Sequence, residues 1–232
     1  MMYDYILFDF DGTVYDTVEG ITKSVRYALN KHGWDAELAD LRCFAGPPLD
    51  EMFMEKYGVS REMGLRLTEE FRERYKPIGV YESRPFEGIG ELLSALRAAG
   101  KKTAVATSKP QYLAEHLLER AELRALFDVV CGSEPTGGGN AKWQVTERAL
   151  NALGADRARS VLIGDTRWDV EGAARVGIPC IGVRYGYAAP GEMEAAGAIA
   201  MAEDTEELLG LLLPQSVSCL GAADRRTQKT AE

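Results

Sequence analysis

An apolar run, Tyr5-Ile6-Leu7-Phe8, stops abruptly at two carboxylates one residue apart, Asp9 and Asp11, and a Gly12-Thr13 turn follows. A short apolar run of this kind suits a buried strand. Both carboxylates are therefore expected at its carboxyl end, where open parallel sheets gather their ligands. Two negative charges held that close repel each other, and burying them without a cation is costly. The matching guest is a hard cation such as Mg²⁺, which takes oxygen ligands and bridges protein to phosphate. Taken alone, Asp-x-Asp fits a solvated strand end equally well, so the rest of the chain has to decide.

Further strand-like runs occur at Thr103 to Ala106, Val129 to Cys131, Val161 to Ile163 and Cys180 to Val183, and they alternate with helix-like segments. Alternation of this type predicts an α/β fold, a doubly wound, Rossmann-like parallel sheet of five or more strands with helices on both faces. Ile89, Leu92, Leu93 and Leu96 share one helical face ahead of Gly100, and Val145, Ala149 and Leu153 form a similar stripe closed by Gly154. Both read as core packing. Residues 16–83 break the alternation with several helical patterns and no convincing strand, which predicts a helical cap inserted into a core made of residues 1–15 and 84–213. Asp16 followed by Glu19 fits an N-cap with a capping box, and Ile21, Val25, Ala28, Leu29 and His32 fall on one face. His32 is expected to be a packed helix residue and not a ligand. Such a unit, tied to the sheet by two connecting segments, could close over the strand ends as a lid. Gly137-Gly138-Gly139 reads as a local loop, and residues 214–232 as a weakly ordered tail.

The chain has 232 residues, 46% of them hydrophobic, and a net charge of -9 with no long basic run. That balance argues against a nucleic acid polymer or an anionic membrane as partner. Cys43, Cys131, Cys180 and Cys219 are widely spaced, with no Cys-x-x-Cys pair, and suit reduced thiols in a cytoplasm. The amino terminus carries Asp4, Asp9 and Asp11 where a signal peptide would be basic and then apolar, and Leu208 to Leu213 is too short to span a bilayer. The expectation is a cytoplasmic protein, monomer or homodimer.

Four features should meet in one crevice, because a doubly wound sheet brings strand ends together. They are Asp9 with Asp11; Thr107-Ser108-Lys109 after the second run and ahead of Pro110, which suits a helix start; Lys142, at the approach to a helix; and Gly164-Asp165 through Asp169. Singly, each has a plainer reading as a cap, a solvated lysine or a loop. Together they are what phosphoryl transfer through an aspartyl phosphate requires. Asp9 would attack phosphorus, and Asp11 would act as acid and then base. Mg²⁺ would be held by Asp9, the Asp11 carbonyl and Asp165. Thr107 and Lys142 would take the remaining phosphate oxygens, with Gly12, Ser108 and Lys109 beside them, and Asp169 would steady Asp165.

These residues resemble the haloacid dehalogenase superfamily over nearly the whole chain to about Leu213. Asp9-Phe10-Asp11-Gly12-Thr13 is similar to its first motif, Thr107 to its second, Lys142 to its third and Gly164-Asp165 through Asp169 to its fourth. Arg42-Cys43-Phe44-Ala45-Gly46-Pro47-Pro48-Leu49 and Ala106-Thr107-Ser108-Lys109-Pro110 resemble the phosphoglycolate phosphatase and 5'-nucleotidase subgroup. Trp143 departs from it, standing where many relatives carry proline. The resemblance implies a Mg²⁺-dependent phosphatase acting on a small-molecule phosphomonoester, with specificity from the cap and Arg42 a candidate for a second anionic group. An acid two residues after the nucleophile argues for phosphate substrates over dehalogenation. A phosphomutase or a non-catalytic regulatory relative stays open, whereas a receiver domain would be about half this length without a helical insertion.

Overall fold

In the computed structural model, residues 3–134 and 140–213 are described. The glycine run and the carboxyl-terminal tail lie outside them. The five apolar runs all form strands: β1 (Tyr5–Phe8), β4 (Lys102–Pro110), β5 (Val129–Ser133), β6 (Ser160–Gly164) and β7 (Cys180–Val183). With β8 (Ala200–Ala202) they make a six-stranded sheet in the order β5-β4-β1-β6-β7-β8, parallel throughout. Strand β8 was not among the runs read in the sequence, since three residues at a sheet edge, two half-buried and one buried, carry too little pattern to read.

Chain order reverses at β1, which has β4 on one side and β6 on the other. Phe8 pairs with both Val105 and Ile163. The next step along the three strands therefore brings Asp9, the Ala106-Thr107 stretch of β4 and the Gly164-Asp165 end of β6 side by side, at the topological switch point where such sheets bind ligands. Alternation along the strands divides the core. Ile6, Phe8, Val105 and Ile163 face one way, and Leu7, Ala104, Ala106 and Leu162 the other, beneath α6 (Lys142–Leu153) and α7 (Arg167–Arg175). Small alanines on that second face, met by Ala149 and Ala173 from the helices, let α6 lie close to the sheet. Its first residue, Lys142, is thereby delivered to the carboxyl edge.

The helix start expected at Pro110 is found, but the strand end expected at Ala106 is corrected. Strand β4 runs on to Pro110 through a register shift between Ala106 and Pro110, and α5 (Gln111–Arg120) begins only afterwards. Proline disfavours helical backbone in the residue before it, which keeps Lys109 extended.

Residues 16–83 hold three helices, α1 (Val18–Asn30), α2 (Leu49–Tyr57) and α3 (Arg61–Tyr75), with a 3-10 stretch at Leu38–Phe44. The two connecting segments pair as a short antiparallel ribbon, β2 (Tyr15–Asp16) with β3 (Arg84–Pro85). The expected capping box is not formed. Thr17 occupies the cap position, the Asp16 carboxylate accepts from the Val18 N–H at 3.4 Å, and Glu19 pairs with Lys23 instead. His32 lies just past the end of α1, with Nε2 2.7 Å from Glu70 of α3.

Candidate active site

After β1 the backbone folds into a tight turn in which the Phe10 carbonyl accepts from the Val14 and Tyr15 N–H groups. Gly12 makes this turn possible with φ +86°; a Cβ there would stand 2.0 Å from Asp165 Oδ2, so the turn and the Asp165 carboxylate are in intimate contact. The Asp9 N–H donates to the Ile163 carbonyl at 2.8 Å, which locks the first carboxylate to β6.

Asp9, Asp165 and Asp169 are buried, and one carboxylate oxygen from each lies within 4.8 Å of the others. Lys142 Nζ stands among them, 2.5 Å from Asp9 Oδ1 and 2.7 Å from Asp169 Oδ1, and donates to the Ala106 carbonyl at 3.2 Å. The other Asp169 oxygen accepts from the Asp165 N–H, the Thr166 N–H and the Thr166 hydroxyl at 3.0 to 3.2 Å, so Asp169 fixes both the lysine and the loop that carries Asp165. Burial pushes the Asp9 carboxyl up to about 6, against the pull of Lys142 and with added repulsion from Asp169. Asp165 is driven well above the usual carboxylate range by burial and then by Asp169 and Asp9. Burial also opposes the charge on Lys142, but Asp169 and Asp9 outweigh it and hold its pKa above the ordinary value. Clustered, desolvated carboxylate oxygens of this kind form a donor set that fits a hard divalent cation.

The second carboxylate has different company. Asp11 Oδ1 accepts from Lys109 Nζ at 2.9 Å, and the same ammonium donates to the Tyr75 hydroxyl at 2.6 Å. Lys109, expected beside the phosphate, is thus turned toward the acid and toward helix α3. Ser108 lines the open space next to it, while Thr107 is fully buried and its hydroxyl accepts from the Lys109 N–H at 3.2 Å. Arg42 does not reach this space. It is exposed on the 3-10 stretch with its guanidinium 5.9 Å from the centre of the Tyr187 ring.

Several contributors escaped the sequence reading. Thr13 Oγ1 donates to Asp165 Oδ1 at 3.3 Å, and the Tyr187 N–H donates to Asp165 Oδ2 at 2.9 Å. Between Tyr185 and Tyr187, a Cβ on Gly186 would fall 2.2 Å from the Asp165 Cβ, so glycine is required for this loop to press against the metal-type carboxylate. The Tyr187 hydroxyl accepts from the Thr17 and Val18 N–H groups at 2.7 and 3.1 Å and donates to Asp16 Oδ1 at 3.1 Å, tying the site to the start of α1. Applying the strand-end rule to β7 as well would have found Tyr185-Gly186-Tyr187, which begins two residues after Val183.

A cavity of about 320 Å³ opens between Asp11 and the helical segment. Phe44, Leu49, Phe71, Tyr75, Tyr112 and Leu113 supply its apolar walls, and Arg72 and Lys76 of the α3 end add cationic groups.

The chain is similar to known proteins over most of its length. Residues 6–183 match the family described as haloacid dehalogenase-like hydrolase. A 5'-nucleotidase of Pseudomonas aeruginosa is 40% identical over 196 residues, covering 84% of this chain and 89% of that protein. The tyrosine-protein kinase PtkA of Mycobacterium tuberculosis is 37% identical over 188 residues, 78% of this chain and 62% of PtkA. Proteins named phosphoglycolate phosphatase also match, at 31% identity in Cupriavidus necator, over 90% of this chain and 93% of that protein. Among solved structures, a predicted phosphatase from Clostridium acetobutylicum superposes with a TM-score of 0.88 at 38% identity, over 92% of this chain and all of that one. With its strand-end carboxylates, buried lysine and six-stranded parallel sheet, the chain belongs to the haloacid dehalogenase-like hydrolases.

Proposed function

We propose that this chain is a Mg²⁺-dependent phosphatase that hydrolyses a small-molecule phosphomonoester through a phosphorylated Asp9. The observation that carries this reading is the division of labour between the two carboxylates. Asp9 sits at the strand end among Lys142, Asp165 and Asp169, while Asp11 is drawn away from that cluster by Lys109.

In the first step an Asp9 oxygen bonds to phosphorus as the ester P–O bond breaks, and Asp11 gives its proton to the departing alcohol. In the second step water attacks phosphorus and passes a proton to Asp11, the Asp9–phosphorus bond breaks, and free phosphate leaves. Lys142 and Thr107 of β4 would hold phosphate oxygens. Asp9, Asp165 and the Asp11 carbonyl would hold Mg²⁺, which when bound screens the carboxylates from the phosphate and stabilises charge on its oxygens. Residues 16–83 serve as a cap over the strand ends, joined to the core by the β2–β3 ribbon.

The cavity supports a particular leaving group. Its walls are largely apolar and aromatic, Tyr112 is 51% exposed beside it, and Arg72 and Lys76 add positive charge, so an alcohol with a flat ring body that also carries polar groups suits the space. Nucleoside monophosphates, the class named by the Pseudomonas relative, come first and phosphoglycolate second. Cys43, Cys131 and Cys180 are free thiols, in keeping with a cytoplasmic enzyme, monomer or homodimer. No helix among the described residues is long and apolar enough to cross a membrane.

Phosphate release from a panel of phosphorylated metabolites, with Mg²⁺ and with chelator, tests the reading. Metal-dependent turnover that disappears in Asp9→Asn is the expected result. Turnover retained by Asp9→Asn refutes the nucleophile; transfer of phosphate to a second hydroxyl of the substrate in place of release identifies a phosphomutase.

A further inference from the structure

Lys109 is an unusual residue to find buried beside a proton-transferring carboxylate, and its surroundings explain what it does there. The residue is 7% exposed, and its ammonium is bounded on two sides by aromatic faces, 5.5 Å from the Phe10 ring centre and 5.1 Å from that of Tyr75. Its two polar partners come from different parts of the chain. Asp11 belongs to the turn after β1, and Tyr75 is the last residue of α3 in the helical insertion. The backbone that carries Lys109 is itself held, because its N–H donates to Thr107 and the following proline keeps it extended. With the stem fixed and the rings closing two sides, the ammonium has little freedom except toward Asp11 and Tyr75.

We propose that Tyr75 and Lys109 are positioning residues that couple the seating of the helical cap to the aim of Asp11, so that proton transfer to the leaving alcohol is available only when the cap is in place. The coupling rests on the phosphatase reading above and extends it. Lys109 holds Oδ1 of Asp11 and so fixes the orientation of the other oxygen, Oδ2. Tyr75 arrives with α3 and supplies the hydroxyl that directs the ammonium. When α3 withdraws, Lys109 loses that partner and one aromatic wall, and the Asp11 carboxylate is no longer held in one orientation. An open active site then neither protonates an alcohol nor activates water, which protects the phosphorylated enzyme chemistry from solvent until substrate has brought the cap down.

Leaving-group dependence separates this role from a merely structural one. The value of kcat/KM reports the step in which Asp9 is phosphorylated and the alcohol departs. The test compares p-nitrophenyl phosphate, whose leaving group departs without a proton, with the best alkyl phosphomonoester of the panel. Tyr75→Phe should lower kcat/KM for the alkyl ester by about tenfold or more while the aryl ester changes by less than about threefold. Lys109→Met should show the same asymmetry with a larger factor, about a hundredfold against the alkyl ester. Thermal unfolding of each variant reads folding separately; Tyr75→Phe removes a single oxygen and keeps the ring against Lys109. Equal losses for the two esters, or no loss for either, would overturn the coupling while leaving the phosphatase intact. Wild-type protein that turns over neither ester, or Asp9→Asn that still turns over both, would instead count against the phosphatase itself.

Discussion

Lys142→Met keeps most of the lysine stem and removes the ammonium that lies between Asp9 and Asp169. The two ion pairs it breaks are short, 2.5 and 2.7 Å, and the side chains of Lys142, Asp9 and Asp169 are 10%, 6% and 0% exposed. Water therefore cannot take the place of the missing charge. Breaking one partner out of a buried ion pair costs about 3–5 kcal/mol because the remaining charge stays uncompensated. For a chain of this size each kcal/mol corresponds to about 2–4 °C in the unfolding midpoint, so the substitution should lower it by about 6–20 °C. The measurement is thermal and urea unfolding near neutral pH with chelator present, so that a divalent cation does not substitute for the ammonium. Adding Asp169→Asn to Lys142→Met should recover a large part of the loss, because the amide oxygen can still accept from Thr166 while one uncompensated charge is gone. Phosphatase activity should not return in the double variant if Lys142 binds the phosphate as proposed. A loss below about 1 kcal/mol, the range of exposed ion pairs, or no recovery on adding Asp169→Asn, would refute the buried-triad reasoning.

Gly12→Ala places a methyl group 2.0 Å from Asp165 Oδ2 at a backbone angle that L side chains rarely adopt. Divalent cation affinity, measured by calorimetry, should fall by about tenfold or more with far-UV circular dichroism unchanged, and unaltered affinity would mean that Asp165 is not a ligand. Tyr187→Phe removes the hydroxyl shared by the Thr17 and Val18 N–H groups. Hydrogen exchange at these two amides should speed up by an amount equivalent to about 1–3 kcal/mol, and unchanged protection would show that another group caps α1. Glu82, paired with both guanidinium nitrogens of Arg74 at 2.9 and 3.1 Å, has its carboxyl pKa lowered chiefly by that hydrogen bonding. A lowered carboxylate stabilises the fold above its ordinary pKa and loses that contribution as pH falls through the lowered value. Glu82→Gln should therefore reduce stability at neutral pH and flatten the acid limb of the stability curve; a parallel curve would contradict the pairing.

The parallel sheet, the position of the carboxylate pair at the end of β1 and the approach of Lys142 at a helix start were legible in the chain because each depends on local pattern. Apolar runs of three or four residues predict strands, and the end of a strand in a doubly wound sheet is already a site. The same rule misplaced the end of β4, where a register shift carries the strand past Ala106 to Pro110. It also passed over β8 and the paired connectors β2 and β3, whose two or three residues show no period.

What the sequence determined by itself was the inventory of chemistry: two carboxylates on one turn, two more after β6, and a lysine at the start of α6, all at strand or helix termini. What tertiary structure alone decided was which charge answers which. Lys109 and Lys142 look alike in the sequence, each near a strand end or helix start. Packing directs Lys142 to Asp9 and Asp169, and Lys109 to Asp11 and Tyr75. Tyr187 and Arg42 likewise meet only because the loop after β7 and the 3-10 stretch at Leu38–Phe44 come together. The physical reason is that electrostatic and hydrogen-bond energies at a buried site depend on distances of a few ångströms between residues as far apart as 172 positions. No local pattern encodes those distances; the close packing of the sheet and the helices against it sets them.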